Sequence, residues 1–255
     1  MSFPVPLNPR RQAFAELKAG LDARHRETLL ARFTQDDPTV VRTGFAELDR
    51  ALGGGFARGT IATLEGCASS GRTAIAARLL AVGTRSGLVA AVDDGSLYPP
   101  ALARAGVRLD RLMVMPSSEA LGIARAADIL LRSHGFGIVL IPAVPLKAAV
   151  WTRLASLAHH GNALLVVLGL EAANELGYFA SSRVHCSLAR VFWTHASGPF
   201  CELAGYDIRS AVIKNKRAAP GACATIRVIA KKPGTLRERS LGALPSSPVR
   251  LRVSV

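Results

Sequence analysis

No stretch of this sequence stays apolar long enough to cross a bilayer. The most apolar segments, residues 138–150 and 163–170, are broken by Pro142, Pro145, Lys147 and Gly169, far from the ~20 residues a spanning helix needs. That excludes a helical membrane protein and predicts no membrane partner. The start, MSFPVPLNPRRQAF, lacks a cationic stretch followed by an apolar one, so the expectation is a cytoplasmic protein without a secretory leader. Cysteine is sparse. Cys67, Cys186, Cys201 and Cys223 show no C-x-x-C spacing, which argues against a disulfide scaffold and for reduced thiols. His185, Cys186, His195 and Cys201 fall on β-type runs and fit no zinc-module spacing, so no metal site is expected. Acidic side chains are also scarce: 18 Asp and Glu stand against 32 Lys and Arg, a net charge of +14.

What is present is core-forming material. Hydrophobic residues make up 49% of the 255, and the mean hydropathy is +0.26, which excludes wholesale disorder and fits one large domain. The positive charge is uneven. Residues 1–42 hold 7 basic and 5 acidic side chains, residues 43–204 hold 14 and 11, and residues 205–255 hold 11 and 2. An excess gathered at one end is the pattern of contact with a polyanion or an acidic partner, although a solvated basic tail would look the same.

Residues 9–33 read as a helix with Phe14, Leu17, Leu21, Leu29 and Phe33 near one face. Further on, strands expected at 60–65, 88–92, 112–115, 137–141 and 163–168 alternate with helices at 74–85, 99–106, 118–133 and 146–159. That alternation predicts a parallel sheet with right-handed crossovers. From Val184 the pattern turns to β-type segments alone, 184–195, 200–214 and 223–230, which predict an antiparallel extension. The Pro-, Ser- and Arg-rich stretch from Lys231 predicts a poorly ordered tail.

Between the expected strand 60–65 and the following helix lies GCASSGRT, residues 66–73. A bare G-x-x-x-x-G means little in a chain with 23 glycines. Requiring a basic residue and then Ser or Thr lowers the chance expectation to about 0.03. Gly66, Ser69, Ser70, Gly71, Arg72 and Thr73 therefore form a candidate phosphate loop, its N–H groups and helix N-terminus turned toward an anion. The machinery around it is altered. Arg72 stands where a lysine normally reaches the β- and γ-phosphates, and the two are not interchangeable. Thr73 retains a hydroxyl for magnesium, but the strand that should end in a metal-orienting acid ends in Pro142. Asp93 and Asp94 follow Val92 without a glutamate in the turn. Phosphoryl transfer depends on positioning and electrostatics, so these losses predict a pseudo-ATPase with no catalytic residues. Cys67 reads as a small filler, and His159-His160 as cations at a helix C-terminus.

With these residues in view the chain resembles the RecA family. TGFAELDRALGGGFARGTIATLEGCASSGRT resembles its glycine turn and phosphate loop. AVDDGSLYPPALARAGV resembles the segment carrying its catalytic glutamate, whose place Gly95 takes. YFASSRV followed by IKNKRAAPGACATIRV resembles its late β-region, where two lysines of a K-N-K motif reach a neighbour's nucleotide; Lys214, Asn215 and Lys216 match them. The resemblance implies a RecA-like α/β fold: a mostly parallel central sheet, an antiparallel β extension and an N-terminal helix. It divides the chain into a helical segment 1–42, a core 43–230 and a basic tail 231–255.

The room for RecA's two DNA-binding loops is missing: residues 142–165 hold one helix, and 168–178 only a short link. Such a core with weakened ATP chemistry is similar to the ImuA family, accessory proteins of SOS mutagenesis. That resemblance implies an adaptor in error-prone translesion synthesis. Its partners would be RecA, an ImuB-like Y-family polymerase homologue and, indirectly, an error-prone replicative-type polymerase. Phe14, Leu17, Leu21, Lys214 and Lys216 would serve interfaces. Lys231, Lys232, Arg237, Arg239, Arg250 and Arg252 would contact DNA non-specifically, or an acidic partner. No cofactor is required by this reading, and ATP binding is left open. Two rivals stand beside it: a weak RecA/KaiC-type ATPase using Asp93 or Asp94, and a SulA-like cell-division inhibitor.

Overall fold

A computed structural model describes residues 39–170, 174–195, 201–218 and 220–229. The expected helix 9–33, with Phe14, Leu17 and Leu21, and the tail from Lys231 lie outside these residues. The described chain begins with a two-stranded antiparallel pair, β1 (Val40–Val41) and β2 (Phe56–Ala57), bracketing helix α1 (Ala46–Ala51). The alternation then follows: β3 (Ile61–Glu65), α2 (Arg72–Ser86), β4 (Leu88–Asp93), α3 (Pro99–Arg104), β5 (Leu112–Pro116), α4 (Ala120–Arg132), β6 (Phe136–Pro142), α5 (Ala148–His160) and β7 (Leu164–Gly169). A short helix α6 (Asn174–Phe179) precedes β8 (Ser182–His195), β9 (Cys201–Asn215) and β10 (Cys223–Ile229).

The eight-stranded sheet runs β10-β9-β8-β3-β7-β6-β4-β5. Pairings from β8 through β5 are parallel, while β8–β9 and β9–β10 are antiparallel. The expected parallel sheet with an antiparallel extension is what forms. One detail differs. The supposed bare link before β8 contains α6, whose Leu176 is buried beside Trp151 and Leu154 of α5. A six-residue helix carries too little periodicity to stand out in the sequence.

Both faces of the sheet are covered. Leu48, Ile75, Leu79 and Leu102 of α1, α2 and α3 pack on Leu64, Ala91, Leu140 and Val166. On the other face, Ile123 and Leu130 of α4 and Trp151 and Leu154 of α5 pack on Val92, Val139, Ile141 and Leu165. Strands buried on two faces must be apolar throughout, which is why VAAV, GIVLI and LLVVL read as continuous runs. Among the described residues no helix is long and apolar enough to cross a membrane.

Candidate functional site

The phosphate loop sits where sequence places it, joining the end of β3 to α2. Two glycines make its curl possible. Gly66 has φ +149°, and a Cβ there would lie 2.4 Å from the Cys186 carbonyl oxygen. Gly71 has φ +86°, and its Cβ would lie 2.4 Å from Cδ1 of Ile208. A side chain at either position would meet both the left-handed backbone penalty and a neighbour on the β8–β9 ribbon. The Gly66 N–H donates to the carbonyls of Leu170 (2.8 Å) and Gly169 (3.2 Å), tying the loop to the end of β7. Ser69 is left-handed at φ 61°. Ser70 is buried, and its hydroxyl has no hydrogen-bond partner. Gly71 opens α2 without a side-chain cap, and no acid lies in the first turn. The N–H groups and positive dipole end of this 15-residue helix thus face the loop, the electrostatics of an anion seat.

Arg72 changes what the seat can do. Its Nη1 donates to the Gly66 carbonyl and, at 3.1 Å, to the Cys67 carbonyl. The guanidinium is folded back on the loop's own backbone. Thr73 is exposed on the first turn. Cys67 is exposed as well, so it is not the buried filler its small side chain suggested.

The strand ends that should complete the chemistry offer little. β6 ends at Pro142, paired with Leu168 on β7, and Ala143 donates its N–H to the Leu168 carbonyl at 2.9 Å. At the end of β4, one Asp93 oxygen accepts the N–H groups of Gly95 (3.0 Å) and Leu97 (2.9 Å). Asp94 accepts the N–H of Ser96 at 3.2 Å. Both carboxylates fold their own turn, the local bonding that short acids favour. Among the described residues no group of three metal-ligating side chains converges.

Directly beneath the loop lies a feature the sequence reading did not single out. Glu65, buried at the end of β3, accepts Arg183 Nε at 2.8 Å and Nη2 at 2.9 Å. Thr63 Oγ1 donates to the same carboxylate at 2.5 Å. The bidentate fork stitches β3 to β8 where parallel pairing meets the extension. The available signal was an acid closing an otherwise apolar strand. Nearby, burial pushes the Cys186 thiol up to about 12, so this cysteine is an inert filler.

Lys214 and Lys216 are not beside the loop. Lys214 pairs in register with Arg183, which faces Thr63 mid-strand, and the Lys216 N–H donates to Ser181 at 3.0 Å, next to the start of β3. The loop lies past the other end of that strand, so one chain holds loop and lysines at opposite edges. Lys214 Nζ donates to the carbonyls of Gly177 (2.9 Å) and Tyr178 (3.0 Å) in α6. Burial, then Lys216 and Arg183, push its ammonium below the ordinary lysine range. Asn215 Nδ2 donates to the Leu52 carbonyl at 3.0 Å. A cleft of about 360 Å³ lies here, bounded by Thr60, Ala155, Tyr178, Phe179 and the two lysines.

Comparison with known proteins follows the same outline. The RecA N-terminal domain matches residues 27–153. RecA of Methylococcus capsulatus is 38% identical over 111 residues, 42% of this chain and 32% of that protein. RecA of Leifsonia xyli subsp. xyli is 32% identical over 147 residues, 55% of this chain and 41% of its own. The chain thus spans about a third to two-fifths of the length of the curated relatives it matches. The crystal structure of the RadB recombinase superposes with a TM-score of 0.59 at 19% identity, covering 74% of this chain and 96% of that one, a likeness of fold. Taken with the loop and sheet just described, the match across residues 27–153 shows that this chain carries a RecA-like α/β core.

Proposed function

We propose that the chain is a non-catalytic RecA-like adaptor of the ImuA kind, acting in SOS-induced, error-prone translesion synthesis. It binds RecA or an ImuB-like polymerase homologue, and an error-prone replicative-type polymerase joins indirectly. The observation that carries this reading is the phosphate loop. Its Arg72 is spent on the Gly66 and Cys67 carbonyls, Pro142 stands at the strand end where an acid is needed, and Asp93 holds its own turn. A RecA-like subunit offers two unlike faces and stacks head to tail without limit when its copies are identical. A paralogue that keeps one face and loses the nucleotide-bridged one joins a filament end and stops growth there. The retained face is the segment 9–33. The basic segment with Lys231, Lys232, Arg237, Arg239, Arg250 and Arg252 adds salt-sensitive contact with DNA or an acidic partner.

Two measurements test the reading. ATP turnover is expected to be negligible with or without DNA; DNA-stimulated hydrolysis abolished by Arg72→Ala would overturn the non-catalytic assignment. Replacing Phe14 and Leu21 together by Asp removes two apolar anchors worth roughly 1.5–3 kcal/mol each and places charge in the groove that receives them. RecA binding by that variant is expected to fall by orders of magnitude. Unchanged binding, or FtsZ capture in place of RecA capture, would reject the docking mode.

A further inference from the structure

A groove of about 570 Å³ opens on the edge of the sheet opposite the phosphate loop. Its walls are β1, the last turn of α2 and the starts of β4 and β6, with Val82, Leu88, Val89 and Ile138 as its apolar lining. Leu88 is 48% exposed at the lip. Gly87 beside it has extended backbone, and a Cβ there would meet nothing within 4 Å. Arg42 and Arg58 stand at the rim. Arg42 lies near Asp49, while Arg58 makes no ion pair among the described residues.

The described chain begins at this rim. The Thr39 carbonyl accepts the Arg58 N–H at 2.9 Å, and Val40 and Val41 line the groove. Residues 1–38 therefore emerge next to it. Immediately upstream stand Leu29, Phe33, Asp36, Asp37 and Pro38. From Phe33 to Thr39 is six residues, a reach of at most ~20 Å. The order along the chain, apolar, apolar, acid, acid, matches the groove in reverse: basic rim, then apolar floor.

We propose that this groove is the seat of the chain's own residues 29–37, docked in cis, with Leu29 and Phe33 in the apolar floor and Asp36 and Asp37 against the arginine rim. A tether this short sets an effective concentration on the order of millimolar, above that of a second copy in solution. The docking leaves Phe14, Leu17 and Leu21 for a partner, and it fixes the direction in which the segment carrying them leaves the core.

The test uses the full chain alone, so its outcome is independent of RecA binding. A benzoylphenylalanine photocrosslinker replaces Leu88, and nitrogen-15-labelled and unlabelled chains are mixed in equal amounts. The expected product is a crosslink from position 88 to residues 25–38 of the same isotope, its yield unchanged on tenfold dilution. Leu29→Asp with Phe33→Asp is expected to lower that yield by more than about tenfold, while Phe14→Asp with Leu21→Asp leaves it unchanged. Gly87→Trp, which fills the groove without backbone strain, is expected to abolish it. Mixed-isotope products would assign the groove to a second copy, and crosslinks confined to other residues would show that this segment does not occupy it; either overturns the proposal.

Discussion

In the parallel half of the sheet every residue of Ile61–Glu65 is buried, as are the central residues of β6 and β7. In the extension β10 alternates exposed and buried along Cys223–Ile229. Its outward row carries Arg227, held by Asp207 at 2.8 and 2.9 Å and lying 4.7 Å from the Phe192 ring centroid. The difference follows from coverage. A sheet roofed by helices on both faces keeps solvent-facing chemistry only at strand ends, whereas a sheet roofed on one face presents a polar row along its whole length. In this chain β6 ends at Pro142, and the polar row carries the Arg227–Asp207 ion pair and a cation–π contact to Phe192.

The largest expected effect lies where the two halves meet. Arg183→Met leaves the buried Glu65 carboxylate without its bidentate partner, and a loss of about 3 kcal/mol is expected from urea unfolding. Adding Glu65→Gln to it should recover part of that loss, because the cost is mainly that of an uncompensated buried charge. If both variants lose nothing, the join is held by backbone pairing alone.

The next effect tests how closely the extension leans on the loop. Gly71→Ala meets left-handed backbone and the Ile208 side chain, with an expected cost of about 1–2 kcal/mol. Ile208→Ala, which removes Cδ1 and both Cγ atoms, should in a double-mutant cycle relieve only the contact part, separating the ribbon's contribution from the backbone's in thermal unfolding.

The smallest effect belongs to the helices roofing the parallel half. Asp128 on α4 accepts Arg153 Nε from α5 and pairs with Arg132. The hydrogen bond from Arg153, opposed by burial and aided by the Arg132 charge, holds its carboxyl below the usual value of 3.8. A lowered folded value means the stabilisation is present above that usual value and is lost as pH falls through the folded one. Asp128→Asn should therefore cost a few tenths to about 1 kcal/mol at neutral pH, the gap to wild type closing only below about pH 4 in a stability titration.

Much of the fold was legible because continuous apolar runs and 3.6-residue stripes are local signals. The loop was legible for the same reason: its glycines, Arg72 and Thr73 are neighbours in the chain. Glu65 and Arg183 are 118 positions apart, and no local pattern announces that an acid at one strand's end will find a guanidinium two-thirds of the way along the chain. The roles of Asp93 and Asp94 also stayed open, because the same Asp-Asp-Gly can face a substrate or bond its own turn.

The amino-acid order by itself determined the strand–helix alternation, the position of the phosphate loop and the absence of an acid at Pro142, since each depends on residues within one element. Only tertiary structure decided that Arg72 folds onto its own loop, that Lys214 is held by α6 carbonyls on the edge away from that loop, and that a groove opens beside Thr39. These depend on which strand ends come together and which side chains reach which carbonyls. Such distances arise only once the strands have been ordered across the sheet.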